Sequence, residues 1–481
     1  MAHTSRRTFL KSSAAALGAS FTIGGTKSTG RVIGANDTIR VAIAGLNGRG
    51  EAHVMGLAGK PGVEIVALVD PDSRTFATRL AQIKDKAGNT PRTLADVRHV
   101  LDDKSIDALT IATPNHWHAL MTIWACQAGK DVYVEKPCSH NLHEGRVAVQ
   151  AARKYGRIVQ HGTQGRSDMR WAQVAEIARG GQLGKLLVSR ALCYKPRGSI
   201  GVKPDATAPA ELDYNLWLGP APETPFNPNY VHYNWHWFWP FGNGDIGNQG
   251  VHQFDIARWM IPGATLPTQV VTLGGRFGYT DQGQTPNSQV SVMQFGDVPL
   301  VFEVRGLKTK PFHDELVGNI LHFEAGTVTN KGYFPKDSDE PAPLPTVEAK
   351  RGPGGDDHFG NFVAAIRSRK TDDLNAEILE GHYSSALCHL ANISYRLGSP
   401  DTQARDADRP SGTPLGDAVE RLVESLTQVN GLSPGEFKFQ MGPSLTFDPA
   451  AEKFTGTQAD AANALLTRAY RAPFVVPESI G

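Results

Sequence analysis

Between residues 37 and 162, short apolar runs alternate with helix-like stretches, and the first run breaks into a glycine cluster, VAIAGLNGRG (residues 41–50). The runs fall at 37–45, 63–70, 107–114, 131–137 and 157–162, and the helical stretches between them at 74–86, 116–128 and 142–155. Runs that are apolar almost throughout describe strands buried on both faces, which a parallel sheet covered by helices provides. The expected fold is therefore α/β, with a doubly wound parallel sheet at the amino-terminal end and ligands at the carboxyl ends of its strands.

The glycine cluster sits where such a sheet receives phosphates. Gly45 and Gly50 match the first and third glycines of G-x-G-x-x-G, while Asn47 stands at the second with Gly48 beside it and Arg49 in the same turn. Asn tolerates left-handed backbone better than most residues, so the turn is expected to survive at Asn47. The helix that follows would point its amino terminus at a pyrophosphate. Asp70 closes the second run about 25 residues on, where an acid accepts from ribose hydroxyls and repels a 2′-phosphate. These residues predict NAD, with Arg74 as the residue that would admit NADP.

After about residue 185 the texture changes. KLLVSRALCYK, TQVVTLGGRFGY, NSQVSVMQFGD and PLVFEVRGL are strand-like runs without long helices between them. They predict a C-terminal α+β domain with an open, mostly antiparallel sheet, closed by helices at 357–368 and 376–397. The chain of 481 residues exceeds one core. The expected division is a leader (1–35), a dinucleotide-binding domain (36–162), a second, α+β domain (163–398), to which the family resemblance carried by the motifs assigns substrate binding and oligomerisation, and an extension (399–481) with helices at 417–428 and 460–472.

A net charge of +1 gives no reason to expect nucleic acid or an anionic membrane as partner. Past the leader, no apolar run approaches the roughly 18–20 residues of a membrane span. Cys126, Cys138, Cys193 and Cys388 are scattered and read as free thiols, with no metal site expected. The leader carries Arg6-Arg7 before Phe9-Leu10 and a short small-residue run, TSRRTFLKSSAAALGAS. It resembles a bacterial twin-arginine signal, which implies handling by that export machinery and a periplasmic or otherwise exported, already folded protein.

Two later stretches carry candidate chemistry. EKP (135–137) places Lys136 at a strand's carboxyl end, where its charge would lower the pKa of a substrate hydroxyl. In GNGDIGNQGVHQFDIARW (242–259), read as one helix, Asp245, Asn248, His252 and Asp255 share a face. His252 is the expected general base, with Asp255 one turn on to orient its ring. Gly244, Gly247 and Gly250 each cost a helix about 1 kcal/mol, so something must approach closely there. NYVHYNWHWFWP (229–240) offers Trp235, His236 and Trp237 either to a sugar ring or to an aromatic plug between domains. His232 and His236 would share a metal only on a helix, and no neighbouring acid supports it.

The glycine turn, TPNHWH (113–118), EKP and the glycine–histidine helix occur in an order that resembles the Gfo/Idh/MocA oxidoreductases over roughly residues 36–400. The resemblance implies catalytic Lys136 and His252. It also implies a nicotinamide site built from Thr113, Pro114, Asn115, His118 and Glu135, with Gln164 on the carboxamide, and an open-sheet domain that often forms an oligomer interface. Asn248 stands where the family's pattern has aspartate. An amide carries no charge, and Asp245, one turn earlier, is the alternative. The implied activity is NAD(P)-dependent oxidation of a sugar or polyol CH–OH. Because free NAD is not expected outside the cytosol, the cofactor is expected to stay bound and be recycled. The reaction would then couple two carbohydrates, or use transient oxidation for glycoside cleavage, elimination or epimerisation. A non-catalytic, nucleotide-dependent sugar-binding protein is the other class.

Overall fold

The computed structural model describes residues 37–401, 412–435 and 437–480. The leader, with its twin arginines, lies outside the described residues.

Six parallel strands form the first sheet: β1 (Ile39–Ala44), β2 (Val63–Val69), β3 (Arg92–Leu94), β4 (Ala108–Ile111), β5 (Asp131–Val134) and β6 (Val159–His161), in the order β3-β2-β1-β4-β5-β6. Burial on both faces explains the unbroken apolar runs. In β1, Ile39, Val41 and Ile43 face one core, while Ala42 and Ala44 face another. The strand order reverses between β1 and β4, which opens a crevice at their carboxyl ends. β3 was not legible: of its three residues, Arg92 and Thr93 are exposed. The helix His358–Ser368, expected to close the second domain, instead packs Phe362 and Ile366 onto the first sheet beside Ile43.

The second sheet has eleven strands. Its backbone is β7 (Leu186–Tyr194), β8 (Gln269–Gly275), β9 (Ser288–Phe295), β10 (Val298–Arg305) and β11 (Val317–Phe323), with β12 (Gly326–Thr329) and β13 (Gly332–Pro335) on one flank. Only β7 and β10 pair in parallel; the other pairs are antiparallel. Helices Gly250–Trp259 and Ile378–Arg396 bury Phe254 and Leu387 against one face.

The extension builds onto both domains. β14 (Ser399–Asp401), β15 (Phe439–Met441), β16 (Leu445–Asp448) and β17 (Lys453–Thr455) extend the second sheet beyond β8. Helix Pro414–Glu424 covers its other face through Val419 and Leu422. The expected helix at 460–472 is only Ala459–Ala464, after which the tail crosses to the first domain and buries Phe474 against Trp117 and Trp124. Five phenylalanines of this region (Phe437, Phe439, Phe447, Phe454, Phe474) are buried, and that burial holds the segment to both domains.

All four cysteines are free and buried. Among the described residues no helix is long and apolar enough to cross a membrane.

Candidate active site

Gly45 turns the chain out of β1 at φ +83°, and a Cβ there would stand 2.5 Å from the Ala112 carbonyl carbon. Gly48 is the second left-handed residue, at φ +46°. Asn47, expected to take that conformation, does not, because the adjacent glycine takes it instead. Gly50 packs on the turn itself, its Cβ position 2.0 Å from the Gly45 carbonyl oxygen, so it sets the start of helix Gly50–Leu57 and stays out of the cavity wall.

Asp70 follows β2 directly, with one carboxylate oxygen tied to this turn and the other to the loop after β2. One accepts from the Leu46 N–H at 2.8 Å and the other from the Asp72 N–H at 3.0 Å. Burial pushes its pKa up to about 6 against those two donors. Arg74, the residue that would favour NADP, is bound to Asp72 by its backbone N–H and by its guanidinium.

At the carboxyl end of β4, Thr113, Pro114 and Asn115 line the same cavity. Thr113 Oγ1 and Asn115 Nδ2 are buried there with no hydrogen-bond partner among the described residues. His118 bridges two loops, with Nδ1 2.6 Å from the Pro137 carbonyl and Nε2 2.7 Å from the Thr113 carbonyl. With burial holding the ring neutral, its one N–H donates to one of these carbonyls while the ring packs against the other, between the loop after β4 and the loop that carries Lys136.

Glu135 is a hub. Its carboxylate accepts from Arg49 Nε at 2.7 Å and Gln164 Nε2 at 3.3 Å, with His53 Nε2 3.2 Å away. Burial opposes its ionisation, but the His53 hydrogen bond and the Arg49 charge outweigh burial and hold it well below the usual carboxylate range. Gln164 also donates to the Tyr133 hydroxyl at 2.8 Å and does not reach the cavity, contrary to the expected carboxamide contact. Lys136 does reach it. Its Nζ donates to the Asn248 carbonyl at 2.6 Å, and burial lowers its pKa against the attraction of Glu135.

The glycine–histidine stretch is two helices, Gly244–Asn248 and Gly250–Trp259, meeting at Gln249. The close approaches its glycines permit are internal: Gly250 lies under the Phe302 ring and Gly247 against the Asn243 side chain. Asn248 lines the cavity. His252 is half-buried beside the cavity and outside its wall; burial, then the Lys136 charge, takes its pKa down to about 3, so the ring is neutral. Asp255 does not orient that ring. It forms a buried bidentate pair with Arg166, both contacts at 2.9 Å, and accepts from Ser384 Oγ at 2.7 Å. Asp245 is likewise committed, bidentate to Arg197 at 2.8 and 2.7 Å, and stays out of the wall.

The aromatic segment roofs the cavity. Trp235 and His236, stacked with centroids 3.6 Å apart, line it together with Tyr233. Trp237 does not; it is buried beneath the Arg197 guanidinium, 5.4 Å from its ring. Residues 232–233 are turn and a short 3-10 helix, Asn234–Trp237, follows, so the two histidines do not share an α-helical face and diverge. His232 Nε2 lies 2.9 Å from Asp72 Oδ2, and His236 Nδ1 lies 2.6 Å from the Tyr233 carbonyl. Ser73 N donates to the Glu211 carbonyl at 3.0 Å and Asp213 N to the Pro71 carbonyl at 2.9 Å. The roof is therefore fastened to the loop after β2. Trp217, His232 and Val97 also line the cavity; sequence reasoning missed Trp217 and Val97 because neither sits in a periodic pattern, and weighed His232 only as a metal ligand.

The resulting cavity of about 350 Å³ runs from Asp70, past the Gly45–Arg49 turn and Thr113–Asn115, to Lys136 and Asn248. A dinucleotide fits these groups: a turn with no room for a Cβ, a carboxylate acceptor at one end, and unpartnered polar atoms at the other.

Comparison with known proteins agrees. Residues 39–163 match the Gfo/Idh/MocA model described as an oxidoreductase family NAD-binding Rossmann fold, and residues 194–273 match that family's C-terminal alpha/beta domain. The scyllo-inositol 2-dehydrogenase (NAD(+)) of Bacillus subtilis is 32% identical over 148 residues, 31% of this chain and 42% of that protein. A glycosyl hydrolase family 109 protein of Shewanella pealeana is 28% identical over 170 residues, 34% of this chain and 37% of that one. The chain thus spans less than half the length of either relative. A levoglucosan dehydrogenase, solved with NADH and L-sorbose, shares the fold with a TM-score of 0.56 over 74% of this chain and 96% of that one, at 15% identity. The chain is thus similar to this family on both domains, with the two models matched in order, and the first is that of an NAD-binding Rossmann fold, so NAD is the cofactor of the first domain.

Proposed function

We propose that the protein is an NAD-dependent oxidoreductase acting on a CH–OH group of a sugar or polyol, with the cofactor retained through turnover. The observation that carries the reading is Lys136: an ammonium in the cavity wall whose hydrogen bond goes to a neutral carbonyl, leaving its charge free for a substrate oxygen. Bound between Asp70 and Lys136, NAD supplies a two-electron acceptor. Lys136 would donate to the substrate hydroxyl and stabilise the charge that develops on its oxygen as the proton leaves. His252, neutral behind the cavity wall, is the base we assign to that proton, and its basicity must rise from a pKa of about 3 once substrate and cofactor are bound. His118 packs between the Lys136 loop and the loop after β4, and Trp235 with His236 offers a flat face to the ring.

Retention is supported by the fastened roof, since release would part His232 from Asp72 and the 211–213 segment from the loop after β2. A retained cofactor must regain its starting state in each cycle, which favours either paired oxidation and reduction of two carbohydrates or a redox-neutral reaction through transient oxidation. The likeness to a glycosyl hydrolase family 109 protein supports the second form. Export in the folded state, suggested by Arg6-Arg7, would give retention its purpose.

The test is Lys136→Met. We expect the sugar-dependent change in reduced-nicotinamide absorbance to fall by about 10²–10⁴-fold, with NAD affinity within about threefold of wild type. Undiminished turnover would overturn the role of Lys136, and full activity in His252→Ala would remove His252 as the base.

A further inference from the structure

A second cavity of about 380 Å³ opens on the far side of the aromatic roof and shares no wall residue with the first. Trp235 and His236 face the dinucleotide side, whereas Trp239, a few residues on, faces this one. Its other principal walls come from three separate parts of the chain: Asn243, Asn392 with Arg396 at the end of helix Ile378–Arg396, and Arg468 in the C-terminal tail.

Its polar groups are poorly satisfied by the protein. Asn243 is 5% exposed, and its Nδ2 has no hydrogen-bond partner among the described residues. Its backbone carbonyl accepts from Asn392 Nδ2 at 3.0 Å, which fixes where the side chain starts. Arg468 donates through Nη1 to the Pro240 carbonyl at 2.9 Å and lies 5.6 Å from the Tyr470 ring, but its buried Nη2 has no hydrogen-bond partner among the described residues, and the Glu144 carboxylate stands 3.4 Å from Nε. Arg396 lies at the rim over the Trp239 ring, 5.2 Å from its centroid, with no ion pair among the described residues. The other titratable groups in the wall, His140 and His389, are held neutral by burial. Two guanidiniums therefore set the charge of the cavity, with Glu144 behind one of them.

A buried donor without a partner costs free energy, as does a desolvated guanidinium. A ligand that accepts from both returns that energy. Arg396, seated over the Trp239 ring, and Arg468 suit an anionic substituent, Asn243 Nδ2 suits a ring hydroxyl or carbonyl oxygen, and the indole surface left uncovered gives the C–H groups of a pyranose an apolar wall. We propose that this cavity binds an acidic saccharide unit, a pyranose carrying a carboxylate, at a site separate from the dinucleotide cleft. The proposal stands independently of the reaction assigned to the first cavity.

The test is calorimetric titration of the full-length protein, saturated with NAD, with glucuronate, glucose and acetate. Glucuronate is expected to bind saturably, and glucose and acetate each at least tenfold more weakly. Arg468→Gln and Trp239→Ala should each weaken glucuronate at least tenfold while leaving NAD affinity unchanged. Because Arg468 also holds the Pro240 carbonyl, Arg396→Gln, which breaks no hydrogen bond or ion pair among the described residues, serves as the variant that keeps the fold; it too should weaken glucuronate. No saturable binding of glucuronate, binding unchanged in Arg396→Gln, or acetate binding as tightly as glucuronate would each overturn the proposal.

Discussion

Asp70 gives the most quantitative handle on the nucleotide site. Its carboxyl ionises at about 6 in the folded chain against an ordinary 3.8, because burial outweighs the Leu46 and Asp72 N–H donors. The folded state therefore holds this proton more tightly than the unfolded state. Stability contributed by the group is present below about pH 4 and is lost as pH rises through about 6, roughly 3 kcal/mol in all. Nucleotide binding runs the other way, since ribose hydroxyls donate to the carboxylate and a protonated Asp70 accepts poorly. At pH 5 about one Asp70 in ten is ionised, so NAD affinity should be about tenfold lower than at pH 8, a difference of about 1.4 kcal/mol. The charged and titratable groups facing Asp70 are Asp72, with Arg74 bound to it, and His232. The assay is titration of cofactor-stripped protein with NAD between pH 5 and 8, followed by tryptophan fluorescence. The pH dependence should disappear in Asp70→Asn and persist in His232→Gln. A flat wild-type profile, or a slope that survives in Asp70→Asn, would refute the placement of the ribose on Asp70.

Two further substitutions probe the frame. Gly45→Ala forces an L-residue into left-handed backbone, about 1–2 kcal/mol, and drives a Cβ to 2.5 Å from the Ala112 carbonyl, whereas Gly48→Ala meets only the strain because its Cβ direction is open. NAD titration should show a loss of at least tenfold for Gly45→Ala and a much smaller loss for Gly48→Ala; equal losses would contradict the cradle. Asp255→Ala leaves Arg166 buried with only Glu380, 3.1 Å away, and should cost about 3–5 kcal/mol in urea denaturation. An unchanged midpoint with lost activity would return Asp255 to the task of orienting His252.

How much was legible follows from which signals are local. The six-strand sheet shows through because burial on both faces writes apolar runs such as IRVAIA directly into the chain. The three-residue β3 wrote none. Gly45, Asp70 and Lys136 were readable because each sits at a strand's carboxyl end, where topology brings them together, whereas Thr113 and Asn115 were named only through the resemblance to the Gfo/Idh/MocA oxidoreductases. The helical face carrying Asp245, Asn248, His252 and Asp255 had the right period, but the partners of its charges were not readable. Arg166 and Arg197 lie about 90 and about 50 residues away from Asp255 and Asp245, and nothing in the helix announces them. Trp237 shows the same limit: an aromatic run tells that large faces pack, and the Arg197 above one of them decides which face is lost to the cavity. How the C-terminal extension packs was not readable, because Pro, Gly and Asp between its phenylalanines hide a segment whose apolar residues are spent on two different domains.

The most direct measurement is nucleotide content. Purified native protein, denatured and analysed for pyridine nucleotide, should release close to one NAD or NADH per chain, and the stripped protein should take NAD up again with an affinity that Asp70→Asn weakens. Release of none, together with no affinity of the stripped protein for added NAD, would contradict a dinucleotide held between Asp70 and Lys136.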